Sequence, residues 1–130
     1  MKTTKIISPY FENGVFAGVR VTLGDEDFVI APKDFRKGKE MDWQSAMDAL
    51  KADNLSTWNY RQICLTMAYR DEIDDVLADN GGDNLCKDYW TGARCGNHRS
   101  FYYDGFYSIL YWTSESDNVC SVRPIKNLKK

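Results

Sequence analysis

The sequence predicts an α+β domain, on three observations. Residues 19–30 carry the two-residue alternation of strands, and residues 43–50 and 60–67 carry the three-to-four-residue spacing of amphipathic helices. From Tyr89 onward helical spacing gives way to aromatic and β-branched runs cut by Gly, Asp, Asn and Ser. Because strands and helices are segregated along the chain, a doubly wound parallel sheet is not expected. The 130 residues suit one domain, with residues 1–13 and 126–130 at its periphery.

In chain order, Val19, Val21 and Leu23 form one face of a strand, Gly24-Asp25-Glu26-Asp27 a turn, and Phe28-Val29-Ile30 a second strand ending at Pro32. The polar run from Lys33 to Glu40 is expected as loop. Asp42 is placed to cap a helix whose Trp43, Ala46, Met47 and Leu50 share a face. A second helix starts at Asn59, which forms a capping box with Gln62, and its apolar face is read as Tyr60, Ile63, Cys64 and Met67. A third, DEIDDVLADNGG, has acids in its first turn and Asn80-Gly81-Gly82 as its stop. The closing KNLKK is expected as a solvated tail.

The stretch HRSFYYDGFYSILYW, residues 98–112, reads as a hairpin with a two-residue turn at Asp104-Gly105. That register places Arg99, Phe101, Tyr103, Phe106, Leu110 and Trp112 on one face. The other carries His98, Ser100, Tyr102, Tyr107, Ile109 and Tyr111, so neither face is polar. Three arrangements answer this: both faces covered within the monomer, one face paired with a second copy, or one face left as a recognition surface. Tyr, Trp and Arg are the residues enriched at binding hot spots, because they bring large area at low entropic cost.

Composition narrows the partners. The chain is 43% hydrophobic, 28% charged and 14% aromatic, so large rings are its unusual feature. With 17 basic and 19 acidic side chains it has no overall field to attract nucleic acid, and no apolar run is long enough to insert in a membrane. The N-terminal MKTTKIISPYFENG lacks the apolar core of an export signal, so a reducing, cytoplasmic setting is expected. The four cysteines, Cys64, Cys86, Cys95 and Cys120, are then free thiols, with Cys86 and Cys95 the pair to test for a disulfide.

Several short runs occur together in order: Phe28-Val29-Ile30-Ala31-Pro32, Trp43-Gln44-Ser45-Ala46-Met47, Trp58 opening a helix, Asp83-Asn84-Leu85, Tyr89-Trp90-Thr91 and Ser121-Val122-Arg123-Pro124-Ile125. Taken together, across residues 15–126, they resemble the "YWSS…G…VRPV" pattern of small bacterial and phage C-type-lectin-like domains. Those domains usually open the second helix with Leu-Pro-Ser/Thr, where this chain has Asn59-Tyr60-Arg61. The resemblance implies helices packed on a small twisted antiparallel sheet, with a loop-rich carboxyl half that presents side chains. Relatives include retroelement variable proteins, phage receptor-binding tips and formylglycine-generating oxidases, which adds a virion-associated location to the cytoplasmic one.

Catalytic and metal-binding constellations are thin. The oxidases use a cysteine pair close in sequence, whereas Cys95 and Cys120 lie far apart. Cys86, Cys95 and His98 lack zinc-site spacing and a fourth ligand. Glu115, Asp117 and Asn118 are oxygen donors of the kind calcium wants, without the Glu-Pro-Asn or Trp-Asn-Asp signatures of sugar-binding lectins. His98-Arg99-Ser100 cannot form a catalytic pair within one strand, where neighbours point to opposite faces. The acids Asp71, Glu72, Asp74 and Asp75 fit a helix start and a solvated face, and Gly81-Gly82 is not a phosphate loop.

The expected function is therefore a non-enzymatic binding module without a cofactor, meeting a protein or surface glycan through Trp90, Arg94, Arg99, Tyr103, Phe106 and Trp112. An oxidase using a cysteine pair and a subunit of a structural homo-oligomer are the alternatives.

Overall fold

The computed structural model describes residues 5–128. The order of elements is β1 (Lys5–Glu12), β2 (Val15–Leu23), β3 (Glu26–Ile30), a 3-10 turn (Phe35–Gly38), α1 (Trp43–Ala52), α2 (Tyr60–Ala68), α3 (Arg70–Asp79), β4 (Asp88–Arg94), β5 (Arg99–Asp104), β6 (Ile109–Ser114) and β7 (Ile125–Asn127). Two antiparallel sheets result: β1-β2-β3-β7 and β4-β5-β6. The fold class is α+β, as the segregated order of elements predicts.

The amino-terminal segment, expected at the periphery, supplies the edge strand of the larger sheet. Asn13 and Gly14 both have positive φ (52° and 79°) and sit between the paired residues Glu12 and Val15, so a two-residue hairpin turn recruits β1 to the sheet. Pro9 is tolerated because β1 is an edge strand with no further partner among the described residues. Residues 125–127, which overlap the expected tail, pair with β3; Lys129 and Lys130 lie outside the described residues.

The helices follow their local signals. Asp42 accepts from the Ser45 amide at 2.9 Å, and Trp43, Ala46 and Leu50 are buried. Asn59 and Gln62 exchange the two bonds of a capping box, at 2.8 and 2.9 Å. The buried face of α2 is nonetheless Gln62, Ile63 and Thr66, and Tyr60 and Cys64 face solvent, a correction to the apolar face read from spacing. Polar residues can take those places because each is satisfied: Gln62 in the cap and on Asn127, Thr66 by accepting from the Trp58 indole at 2.9 Å.

Two hydrophobic clusters hold these elements together. In the first, Ile63, Ile73 and Leu77 of the helices pack on Val19, Val21, Phe28 and Ile30 of the larger sheet, with Trp58, Leu85, Tyr89 and Tyr103. In the second, Trp43, Ala46 and Leu50 of α1 pack with Phe35, Met41, Trp90, Cys120 and Val122, and Tyr102 borders them. Adjacent strand residues point to opposite faces, so Tyr89 enters one cluster and Trp90 the other. The smaller sheet is sandwiched at β4 and β5, which explains why both faces of β5 are apolar.

Arg123 is the polar tie across this arrangement. Fully buried, it donates to Asp34 Oδ1 at 2.9 Å and to the carbonyls of Ala31, Asp83 and Asn84 at 2.9, 2.9 and 3.1 Å.

Candidate functional site

The hairpin of β5 and β6 closes with a four-residue loop, Gly105 to Ser108, rather than the expected two-residue turn. The register runs from Arg99 opposite Ser114 to Asp104 opposite Ile109. Asp104 accepts from the amides of Phe106 and Tyr107 at 3.0 and 3.1 Å, and the positive φ falls on Ser108 (56°). Gly105 is needed for a different reason: a Cβ there would lie 2.1 Å from the Leu85 carbonyl oxygen and 2.7 Å from that of Lys87.

Measured against the expected turn, the register moves by four residues. An even shift keeps each strand residue on its face, so Arg99, Phe101, Tyr103, Leu110 and Trp112 still share one side. Burial does not follow the faces, however. Tyr103 is 0% exposed, whereas Trp112 on the same face is 56% exposed. The resemblance to lectin-like domains implies Tyr102, Tyr107 and Ile109 as the inward set, and this is corrected as well: Tyr102 is half-buried, but Tyr107 and Ile109 are exposed.

The exposed rings gather on β6 and its loop. Phe106 (77%) and Tyr107 (67%) meet edge to face, with centroids 4.8 Å apart. The Arg99 guanidinium lies over the Trp112 ring at 4.8 Å. Cross-strand from Trp112 is Phe101, whose ring touches Tyr60 of α2 at 5.3 Å, so Arg99, Trp112, Phe101 and Tyr60 form one continuous stripe. Tyr111 stacks on Tyr102 on the other side, 5.6 Å between centroids.

Of the six candidate residues, Arg99, Phe106 and Trp112 lie on this surface. Trp90 and Tyr103 do not: Trp90 is fully buried, its indole donating to the Met41 carbonyl at 2.7 Å, and the buried Tyr103 hydroxyl bonds Ser108 at 2.8 Å and accepts from Arg70. Both belong to the sandwiched strands β4 and β5, where side chains find protein on either side. Arg94 is half-exposed but committed, forking onto Glu115 at 2.8 and 2.7 Å and lying 4.8 Å over Trp43. Its guanidinium holds the Glu115 carboxyl below the usual carboxylate range. The residues not anticipated on the surface are Tyr60, Tyr107, Ile109 and Tyr111; for Tyr60 the available signal was its place at the first helical position after the Asn59 cap.

The chemistry-bearing groups nearby are occupied internally. Glu115 also accepts from the buried Ser100 hydroxyl, and its main chain bonds Trp43 and His98. Cys120 is buried, and burial, with Asp88 and Glu40 adding, pushes its thiol up to about 12. The four cysteines are unpaired. Among the described residues no group of three or more His, Cys, Asp or Glu side chains could hold a metal ion, and no helix is long and apolar enough to cross a membrane.

These features define a small α+β domain with two antiparallel sheets and an aromatic, arginine-bearing edge. No protein-family model matches the chain, and no curated protein matches it.

Proposed function

We propose that the chain is a non-enzymatic recognition module of C-type-lectin-like architecture, in a phage or retroelement setting, which meets a protein or surface glycan through the stripe Arg99, Trp112, Phe101 and Tyr60 and the neighbouring Phe106-Tyr107 loop. The observation that carries this reading is the gathering of exposed rings on one hairpin, with an arginine held over one of them. Burying such a side chain stabilises by roughly 1.5–3 kcal/mol, so leaving several in water is a poor arrangement for an isolated monomer. Rings fixed by stacking and by an underlying strand are already ordered, which lowers the entropic cost of docking. Arg94, Ser100, Glu115 and Cys120, the groups nearest to a catalytic set, have their hydrogen bonds and burial spent inside the fold.

The test is binding of the purified chain to arrays of defined bacterial surface glycans and purified surface proteins. At least one specific signal is expected, weakened about tenfold or more by Arg99→Ala or Phe106→Ala, as for hot-spot residues. Phe11→Ala, on the exposed tip of the β1–β2 hairpin, leaves it unchanged. An absence of signal, or a signal indifferent to both hairpin substitutions, sinks the proposal.

A further inference from the structure

The two sheets have four edge strands, and three are closed or guarded. Edge strand β1 carries Pro9, a bulge between Tyr10 and Phe11, and ion pairs at both ends, Lys5 with Glu72 at 3.1 Å and Lys126 with Glu12 at 2.6 Å. Edge strand β7 is only three residues long, and Ser56 bridges to its Ile125. The outer side of β4 is taken up by Ser121, which exchanges bonds with Trp90 and Asp88 at 3.0 and 2.9 Å, and by the Trp58 carbonyl, which accepts from Gly92 at 2.8 Å.

The fourth, β6, has none of these devices. Ile109-Leu110-Tyr111-Trp112-Thr113-Ser114 contains no charge and no proline, its register with β5 is unbroken, and no described residue pairs with its outer side. In an antiparallel strand every second residue points its backbone outward, so about three N–H and three C=O groups stand open. Unguarded apolar edges of this kind are templates for another strand.

We propose that a second copy of this chain occupies that edge, pairing β6 with β6 antiparallel about a two-fold axis and joining the two smaller sheets into one of six strands. The segment is self-complementary. Centred on Tyr111, such a pairing sets Tyr111 against Tyr111, Leu110 against Trp112 and Ile109 against Thr113, which are favourable aromatic and aliphatic cross-strand pairs with no like charges opposed. Within the paired register, Ile109, Tyr111 and Trp112 are 41 to 56% exposed, so pairing adds partial burial of these side chains to the bonds of the open backbone. The pairing rests on the reading of this hairpin as a contact surface, and it doubles the Arg99–Phe101 stripe on one face of the joined sheet.

Sedimentation equilibrium of the full chain, from micromolar to hundreds of micromolar, tests it. A species of twice the 15.0 kDa chain mass that dissociates on dilution is expected. Tyr111→Lys and Ile109→Lys each weaken it about tenfold or more at unchanged far-ultraviolet dichroism, since a charge on the edge opposes pairing. Val15→Lys, on the other sheet, leaves it intact. In the wild-type chain, amide exchange slows with concentration in β6 and not in β1. A chain monomeric throughout, or a dimer indifferent to both edge lysines, overturns the proposal. So does a monomer whose β6 amides are protected only by an added unrelated extended peptide. A monomer that still binds the arrays through Arg99 refutes the pairing alone, and a β6-paired dimer silent on every array refutes the recognition reading alone.

Discussion

Replacing Arg123 by Met keeps most of the side-chain volume and removes the guanidinium. The cost follows from what is left behind. Asp34, whose side chain is 8% exposed, loses its 2.9 Å partner and keeps Lys87 at 3.2 Å and the Tyr89 hydroxyl, while the carbonyls of Ala31, Asp83 and Asn84 each lose a donor. Removing one partner of a buried ion pair typically costs 3–5 kcal/mol, because the surviving charge stays desolvated. Lys87 and the Tyr89 hydroxyl offset part of this, so a loss of about 3 kcal/mol is expected, roughly a fifth to three-fifths of the stability of an ordinary domain. In urea unfolding followed by tryptophan fluorescence, slopes of about 1–3 kcal/mol per molar convert this to a midpoint lower by roughly 1–3 M. Asp34→Asn lowers the midpoint too, and the double variant loses less than the sum of the two, since the pair can be broken only once. A loss below about 1 kcal/mol for Arg123→Met, or strict additivity, would refute the role of Arg123 as the tie between these segments.

Gly105→Ala drives a methyl group into two backbone carbonyls that no rotamer change can move, so it destabilises by about 2–3 kcal/mol or more, the range of overpacked sites. Thermal unfolding measures it, and a change under about 0.5 kcal/mol contradicts the close approach. Alkaline pH supplies a second check. Burial, ahead of its other causes, pushes the Tyr89 phenol up from 10.0 to about 12, and the Cys120 thiol up from 9.0 to about 12. Both folded values lie above the unfolded ones, so the native state retains protons the unfolded chain releases; this contribution is complete below pH 9.0 and is lost as pH rises to about 12. The urea midpoint therefore stays level up to that onset and then declines, and Cys120→Ala moves the onset upward. A Cys120→Ala chain with an unchanged onset contradicts the burial of a protonated thiol.

How far the fold was legible depended on how local each signal is. The caps of α1 and α2 are written within four residues, Asp42 to Ser45 and Asn59 to Gln62, and both form as expected. The first hairpin had an equally local signal in Asn13-Gly14, but Pro9 and the mixed run around it disguise an edge strand, where one side of the backbone needs no partner. On α2, apolar spacing ranks Tyr60 and Cys64 above Gln62 and Thr66, whereas the structure buries the polar pair. The polar pair is buried through bonds to Asn127 and Trp58, of which the Asn127 partner is 65 positions away.

The aromatic hairpin shows the same limit at the site itself. Its division into two faces survives a wrong turn length, because parity is a property of the strand. What parity cannot supply is depth. Tyr103 and Trp112 share a face, yet one lies against Trp58 and the other stands open, because β5 has a strand on each side and β6 has one. Exposure here is set by position across the sheet, which depends on β4 being drawn between the two clusters by Tyr89 and Trp90. A chain that needed only a core could have ended this sheet with a strand polar on its outer face. Ring-bearing positions on both sides of the terminal strand make sense when that strand continues into something else, which is why the open edge of β6 and the Arg99–Trp112 stripe are best tested together.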